Sequence, residues 1–98
     1  MRSIIADINK EFERKARLGI MSVLMVDDDV DFNTMKEILE LTDGNLASHL
    51  KALEKAGYIE MRKEFVGRKP RTSYSASKQG REAFTSHLNA LERLIKGD

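Results

Sequence analysis

Polar side chains recur between residues 45 and 55 at spacings that would place them on one side of a helix. Steps of three or four residues separate Asn45, Ser48, Lys51 and Lys55, and residues so spaced are neighbours on a helix surface. An asparagine amide offers a donor and an acceptor side by side, a serine hydroxyl can do either, and lysine carries a compact positive charge. Such a face could form hydrogen bonds with a planar group that carries donors and acceptors side by side, and its lysines could bind anions next to that group.

A second group of cations follows at residues 62–71. Gly67 and Pro70, the chain's only proline, favour a turn there, so three of the cations should share an exposed tip. Arginine at such a tip can hold a phosphate through two hydrogen bonds or enter a narrow minor groove. The plainer alternative is a hairpin whose charges keep a sheet edge from aggregating. The basic residues, set against Glu64 alone, are Arg62, Lys63, Arg68, Lys69 and Arg71, the last three at the tip.

The net charge of +1 conceals an uneven distribution of charge along the chain. Residues 27–43 contain seven acidic side chains and one lysine, an excess of six negative charges. Residues 44–71 contain seven basic and three acidic side chains, an excess of four positive charges. Because the basic segment coincides with both groups described above, it indicates a polyanionic partner such as duplex DNA.

Composition is typical of one soluble globular domain, which we predict to span residues 1–98. Hydrophobic residues make up 41% of the chain and charged residues 34%. No apolar run reaches the roughly 20 residues that span a bilayer, and the N-terminus lacks the apolar stretch of a secretory signal. We therefore expect a cytoplasmic location and no membrane partner. The absence of cysteine excludes disulfides, thiolate nucleophiles and cysteine-based metal sites.

The first element that periodicity predicts is a helix over about residues 4–25. Ile5, Ile8 and Phe12 recur at helical spacing in a charged background. Gly19 predicts either a break in this helix or a close packing contact, because glycine weakens a helix interior.

The acidic run after this helix should end it and lead into a second helix. Three carboxylates at Asp27–Asp29 would repel the negative end of the helix dipole. Val30–Phe32 predicts a very short strand paired with the hairpin. Asn33 or Thr34 can cap the next helix, whose apolar face would contain Met35, Ile38, Leu39 and Leu41.

The third predicted helix begins after a Thr42 cap and ends at Gly57, which suits a left-handed C-terminal cap. Its buried side would be the stripe of Leu46, Leu50 and Leu53. With that stripe inward and His49 at its margin, the residues left outward or flanking are Gly44, Asn45, Ser48, Lys51, Ala52 and Lys55.

The remainder of the chain predicts a hairpin and a long final helix. Ile59 and Met61 alternate with polar residues on the first strand, and Tyr74 and Ala76 point inward on the return strand. Ser77 can cap the last helix. The apolar positions of that helix are Phe84, Leu88, Leu91 and Ile95.

These elements predict an α+β, mainly α fold: a winged helix-turn-helix with a three-helix core, a short strand, a β-hairpin wing and a long C-terminal helix. The segments RLGIMSVL, VDFNTMKEILELTDGNLASHLKALEKAGYIE, FVGRKPRTSYSAS and KQGREAF resemble compact winged-helix transcriptional regulators related to the MarR and ArsR families. This resemblance, over about residues 15–95, implies a homodimer that binds operator DNA through the helix of residues 43–56 and controls transcription. The chain departs from the metal-sensing ArsR pattern in lacking cysteine, and it lacks the extra C-terminal dimer helices of full-length MarR proteins.

We predict sequence-specific binding of double-stranded DNA by a repressor, with residues 43–56 in the major groove and the wing of residues 66–72 on the backbone or minor groove. Asn45 and Ser48 would read base edges, although Asn45 could instead satisfy the first turn of its own helix. His49 would contact phosphate or form an interhelical hydrogen bond. Residues assigned to the helix starts and the backbone are Asn33, Thr34, Gly44, Lys51, Lys55, Arg68, Lys69 and Arg71.

The first and last helices each carry an apolar stripe that could form a dimer interface. These stripes could instead pack on each other within one chain. We expect both, with surplus apolar surface forming a two-fold contact. The predicted interface residues are Ile5, Ile8, Phe12, Phe84, Leu88, Leu91 and Ile95, and His87 would lie at the surface or in the subunit contact.

Other functional classes find less support in the sequence. No catalytic triad order, phosphate loop or paired histidines at zinc spacing occurs, so we expect neither an enzyme nor a cofactor or metal. The alternation of Asp27, Asp29 and Asp31 fails as a calcium loop, because Phe32 and Ile38 stand where glycine and glutamate are required. A protein-interaction module without DNA binding is the main alternative, and a small-molecule effector between dimer helices is a third.

Overall fold

The computed structural model describes residues 7–12 and 14–97. A short 3-10 helix at Lys10–Phe12 precedes four α-helices and three strands. The bounds are α1 Lys15–Val26, β1 Val30–Asp31, α2 Phe32–Leu39, α3 Asp43–Lys55, β2 Ile59–Val66, β3 Lys69–Ala76 and α4 Lys78–Lys96. The strands form one antiparallel sheet in the order β1-β3-β2. The predicted α+β, mainly helical architecture with a hairpin is confirmed.

The predicted first helix is shorter than expected. Residues 4–25 do not form one helix, because α1 begins only at Lys15, after extended backbone at Arg14. Ile5 lies outside the described residues. Gly19 is a close packing contact rather than a break, since a Cβ there would lie 2.9 Å from Cδ2 of Leu39. Helix α1 can therefore pack close to the end of α2.

Three helices begin with the same capping geometry. Thr42 accepts a hydrogen bond from the Asn45 backbone N–H (3.2 Å), and Ser77 accepts one from Gly80 (2.9 Å), so both predicted caps are confirmed. The predicted cap of α2 is wrong, because neither Asn33 nor Thr34 fills that position. The Asp31 carboxylate caps α2 by accepting from the Thr34 N–H (3.2 Å), three residues along as an N-cap requires.

The sheet joins the hairpin to the body through β1. Val30 is opposite Tyr74 and Asp31 opposite Ser73, which confirms the predicted short strand, although Phe32 already belongs to α2. Beyond Ile59 most of β2 is exposed. The far half of the hairpin therefore projects from the domain.

The core lies among the helices and the near end of the sheet. The Leu46–Leu50–Leu53 stripe is buried as predicted, and α1 contacts both α2 and α3. Each fully buried side chain of this size contributes about 1.5–3 kcal/mol to folding. The other buried apolar residues are Phe12, Ile20, Met21, Leu24, Val30, Met35, Ile59, Tyr74, Phe84 and Ala90.

The aromatic end of the core corrects two sequence predictions. Phe12 and Phe84 were predicted at a dimer interface, but they are buried within their own chain, with ring centroids 5.3 Å apart. The stripes of the chain ends thus pack on each other at this point, and neither ring is available to a partner. His87 is not at the surface: it is buried, and its Nδ1 accepts the Asn9 N–H (3.1 Å). The Asn9 amide in turn donates to the Tyr58 hydroxyl (3.0 Å).

No helix in the described part of the chain is long and apolar enough to cross a bilayer.

We expect opposite effects from alanine at two glycines in the first turns of helices. A Cβ at Gly80 would overlap the Tyr58 carbonyl oxygen, which the Ser77 N–H holds in place (3.0 Å). Gly80→Ala should lower the free energy of unfolding by at least about 1–3 kcal/mol. A Cβ at Gly44 meets nothing within 4 Å, so Gly44→Ala should raise it by up to about 1 kcal/mol.

Urea unfolding of both variants and the wild type measures this difference. Equal changes in the two variants would contradict the packing described for Gly80.

Candidate nucleic-acid interface

Helix α3 presents the polar face that the sequence predicts. Its leucine stripe is buried, and the side chains of Asn45, Ser48, Lys51 and Lys55 are exposed together with Gly44. Ala52 is half-buried at the edge of this face. The amphipathic pattern therefore aims one continuous polar surface away from the core.

Asn45 is not needed to cap its own helix. The cap is Thr42, which receives the backbone N–H of Asn45, and within the described chain the Asn45 side chain makes no hydrogen bond. The structure thus removes the main reason for assigning Asn45 a purely structural role. Its amide remains exposed at the start of α3.

The helix-turn-helix angle is held by a tight turn and an ion pair. Glu40 ends α2 in the left-handed conformation (φ 52°), and Lys36 pairs with Asp43 at the start of α3 (2.9 Å). This pair also offsets the charge of the Asp43 carboxylate at the start of α3. Asn33 and Thr34 are exposed in the first turn of α2.

His49 forms an interhelical hydrogen bond, one of the two predicted alternatives. Its Nδ1 accepts from Nε of Arg17 on α1 (3.2 Å), and Arg17 also pairs with Glu11 (2.8 Å). Burial, followed by the charges of Arg17 and Arg14, holds the pKa of His49 below its ordinary value of 6.5. A neutral His49 at neutral pH suits its role as an acceptor.

Arg14 and Arg17 were not recognised from the sequence. Both fall in the predicted first helix, where a charged background gave no sign that they would lie beside His49 on α3. Arg17 lines a surface depression together with Ala52 and Lys55 of α3, and the charge of Arg14, just before α1, also acts on His49, so cationic side chains flank the polar face from this side as well. Only the tertiary packing of α1 on α3 brings them there.

The turn of the hairpin carries two of the three predicted tip cations. Gly67 and Arg68 form the two-residue turn between β2 and β3, and Gly67 has the positive φ (67°) that this turn requires. Arg68 and Lys69 are exposed, and neither forms an ion pair within the described chain. They are available to an anion.

Arg71 does not share the tip, which corrects its predicted placement. The strand register puts it opposite Glu64, and its guanidinium pairs with both Glu64 (3.1 Å) and Asp29 (3.0 Å). Arg62 also pairs with Glu64 (2.8 Å). Because Asp29 precedes β1, these pairs tie the outer half of the hairpin, two pairs from the Val66–Lys69 pair that flanks the turn, to the body of the domain.

This ionic cluster alters the titration of its carboxylates. The neighbouring Ser73 hydroxyl, and then Arg71, lower the pKa of Asp29, while Arg62 is the main cause of a lowered pKa of Glu64. Ser73 Oγ is buried, and its geometry falls short of a full hydrogen bond. Both carboxylates are therefore stabilised in the charged form in the folded state.

The described residues contain no group of three His, Asp or Glu side chains that could hold a metal ion.

Comparison with known proteins gives a family match over most of the chain. The family model for the winged helix DNA-binding domain matches residues 16–95. An uncharacterized protein of Methanocaldococcus jannaschii is 36% identical over 87 residues, which cover 89% of this chain and 95% of that protein. A transcriptional regulator homologue from Pyrococcus horikoshii OT3 is 31% identical, with a TM-score of 0.86 over 96% of this chain and 91% of the other.

More distant structures share the fold. MarR superposes with a TM-score of 0.76 at 19% identity, over 92% of this chain and 65% of MarR. Bacillus subtilis PadR, solved in complex with operator DNA, superposes with a TM-score of 0.68 at 17% identity, over 76% of this chain and 47% of PadR. The predicted resemblance to MarR-type winged-helix regulators is confirmed.

The hairpin anchor should make stability depend on acid pH. The pKa of Asp29 is lowered from its ordinary value of 3.8 in the folded state, so its contribution is complete above that value and is lost as the pH falls through the lowered pKa. Asp29→Asn should therefore lower the melting temperature at neutral pH, and the difference from wild type should shrink as the pH falls below 3.8 and through the lowered pKa.

Thermal unfolding followed by circular dichroism across this range tests the anchor. Asp27→Asn is the matched control, because Asp27 is exposed and forms no ion pair within the described residues. A constant gap between wild type and Asp29→Asn at every pH would argue against a charged anchor.

Proposed function

Because the chain belongs to the winged helix DNA-binding domain family, we propose that it binds double-stranded DNA sequence-specifically, as a dimeric transcriptional repressor whose single domain spans residues 1–98. The observation that carries the proposal is the outward polar face of α3, exposed opposite a buried leucine stripe. Helices of this size fit the major groove. The predicted alternative, a protein-interaction module, would favour an apolar face at these positions.

Within this proposal α3 (the helix predicted over residues 43–56) lies in the major groove. Asn45 and Ser48, near its N-terminus, read base edges, because an exposed asparagine amide can pair with N6 and N7 of adenine. Gly44 allows the backbone to approach closely, since a side chain is absent there and nothing lies within 4 Å of that position. The backbone contacts come from Lys51 and Lys55, farther along the helix, and from Asn33 and Thr34 at the start of α2.

The wing of residues 66–72 extends this interface. Arg68 and Lys69 hold phosphates or enter the adjacent minor groove, whereas Arg71 acts as the anchor that positions them. His49 contributes through Arg17, which it orients beside α3. PadR, which has a similar fold, was solved in complex with operator DNA, and this supports DNA as the partner.

A dimer would let two copies of α3 occupy successive half-sites, about one helical turn of DNA apart. The apolar side chains that remain on α4 support such an interface: Leu88 is 44% and Ile95 86% exposed, and Leu91 is half-buried. Ile8, also half-buried, could border it. We place the protein in the cytoplasm, where its DNA would be reached, and propose no membrane partner.

Base contacts and phosphate contacts should respond differently to mutation. Asn45→Ala should weaken binding by about 1–3 kcal/mol at its contacted base pair and little at unrelated duplexes. Replacing both Arg68 and Lys69 by alanine should weaken all duplexes alike and reduce the slope of log affinity against log salt by about 2.

Fluorescence anisotropy with a site selected from random DNA, measured at several salt concentrations, separates the two effects. Lys78→Ala combined with Lys96→Ala removes two positive charges, at the first and last residues of α4, and serves as the control for net charge. If the double variant binds with the salt slope of the wild type, the wing does not contact phosphates.

The dimer has its own test in solution. Leu88→Glu combined with Ile95→Glu should convert the protein to a monomer, because a charge in an apolar contact lacks solvation, and should weaken operator binding through loss of the second half-site. Sedimentation equilibrium measures the mass. Val26→Glu, at an apolar side chain 82% exposed at the end of α1, should remain dimeric, and a monomeric wild type would contradict the proposal.

A further inference from the structure

The hairpin tip (residues 65–70) carries large apolar side chains that nothing in the described chain covers. Phe65 is 75% exposed and Val66 60% exposed, and Pro70 is exposed beside them. Elsewhere the outer hairpin is charged. A phenylalanine in this position contributes little to the domain's own core, and adjacent exposed apolar side chains of this kind are typical of interaction sites.

The strand register makes Phe65 and Pro70 a pair. They are directly opposite each other, one step from the Val66–Lys69 pair that flanks the turn, so their side chains share one face of the hairpin. The pair beside a two-residue turn exchanges the hydrogen bonds, and the next pair is the closer, non-hydrogen-bonded kind. Pro70 suits this position, because its missing N–H would otherwise face the free edge of β3. The rigid ring of Pro70 is therefore the cross-strand neighbour of the planar phenyl ring of Phe65.

The surroundings of this pair are cationic. Lys63 lies two residues from Phe65 on the same face, Arg68 lies in the turn and Lys69 on the opposite face; all three are exposed, and none forms an ion pair within the described part of the chain. An apolar group flanked by free positive charges complements a surface that is anionic outside and that offers apolar faces when it is opened. The minor groove of DNA can be such a surface, because phosphates line its rims and the flat faces of its bases become accessible where a base step is unstacked.

We propose that Phe65, backed by Pro70, is an apolar wedge that enters the minor groove and partly unstacks one base step, kinking the operator at the wing. Proteins that bind the minor groove use phenylalanine and proline in this way. The inference rests on the proposed DNA binding and adds a second source of sequence preference. Pyrimidine–purine steps such as TA and CA unstack most readily, so the wedge selects them at a position that α3 does not read.

Ion pairs beside the tip restrain the hairpin in the way that a wedge requires. Arg71 joins Glu64 of β2 to Asp29 of the body, at the strand position next to Pro70. Force applied to the ring is therefore transmitted to the domain rather than absorbed by bending of the hairpin.

Unstacking can be measured directly with 2-aminopurine, whose fluorescence rises when it leaves the stack. A set of duplexes carries the selected operator with 2-aminopurine at each successive position under the wing. Wild type and Met61→Ala should both raise the signal at one step, because Met61 is an exposed apolar residue on the same strand that lies outside the tip. Phe65→Ala should abolish the rise and weaken binding about tenfold, with Phe65→Leu partly restoring both.

The possible outcomes separate the wedge from the proposed function. Tight binding by wild type without a fluorescence change at any step overturns the wedge and leaves DNA binding intact. Failure of wild type to bind any duplex at low salt overturns the proposed function itself. If Phe65→Ala instead dissociates the dimer in sedimentation, Phe65 belongs to a contact between copies and the wedge is wrong. Circular dichroism checks that each variant is folded.

Discussion

Burial of one leucine stripe on α3 is the constraint on which the arrangement of the interface depends. Leu46, Leu50 and Leu53 can be removed from water only if α3 lies against α1 and the sheet in one rotation about its own axis. A rotation by half a turn would bury charged lysine side chains and expose three leucines, which is costly on both counts. Burial of the leucine stripe thus turns the polar face of α3 toward solvent. The Lys36–Asp43 ion pair adds a contact between α2 and the start of α3 across the turn.

The hairpin is not oriented by burial in the same way, because it projects beyond the core and makes few apolar contacts with it. Its outer half is held by charge: Arg71 lies between Asp29 and Glu64, and Arg62 shares Glu64. The cations of the hairpin are therefore of two kinds. Arg62 and Arg71 are used in the fold, whereas Lys63, Arg68 and Lys69 form no ion pair in the described chain and remain free for a ligand. Exposed ion pairs of this kind contribute little individually, but a network that joins three segments restricts the direction in which the tip can point.

The helices and strands were largely predictable from the sequence. The contacts that their side chains make with distant segments of the chain were not. Periodicity located α3, the hairpin and α4, and capping preferences identified Thr42 and Ser77, because these are local properties of a few neighbouring residues. The first helix was predicted too long, since apolar spacing continues through Phe12 although the backbone becomes extended at Arg14. Other roles depend on segments far away in the chain, as for Phe12, Phe84, His87 and Arg71. The spacing of residues along the sequence does not show which distant residues these side chains contact. The exposure of the α3 residues proposed for the interface was predicted correctly, because the only information needed was the direction of the leucine stripe.

The acidic segment of residues 27–43 explains how a chain of net charge +1 can present a basic surface. Several of its carboxylates have structural partners: Asp28 pairs with Arg81, Asp29 with Arg71 and Asp43 with Lys36, while Asp31 caps α2. Each partner is a base on another element or a backbone N–H, so the negative charge is neutralised inside the framework. The lysines of α3 and the cations of the turn have no such partners in the described chain. Because exposed charges are screened over about 8–10 Å at physiological ionic strength, the field that a ligand meets is set by these local free charges, and the near-zero total has little influence on it.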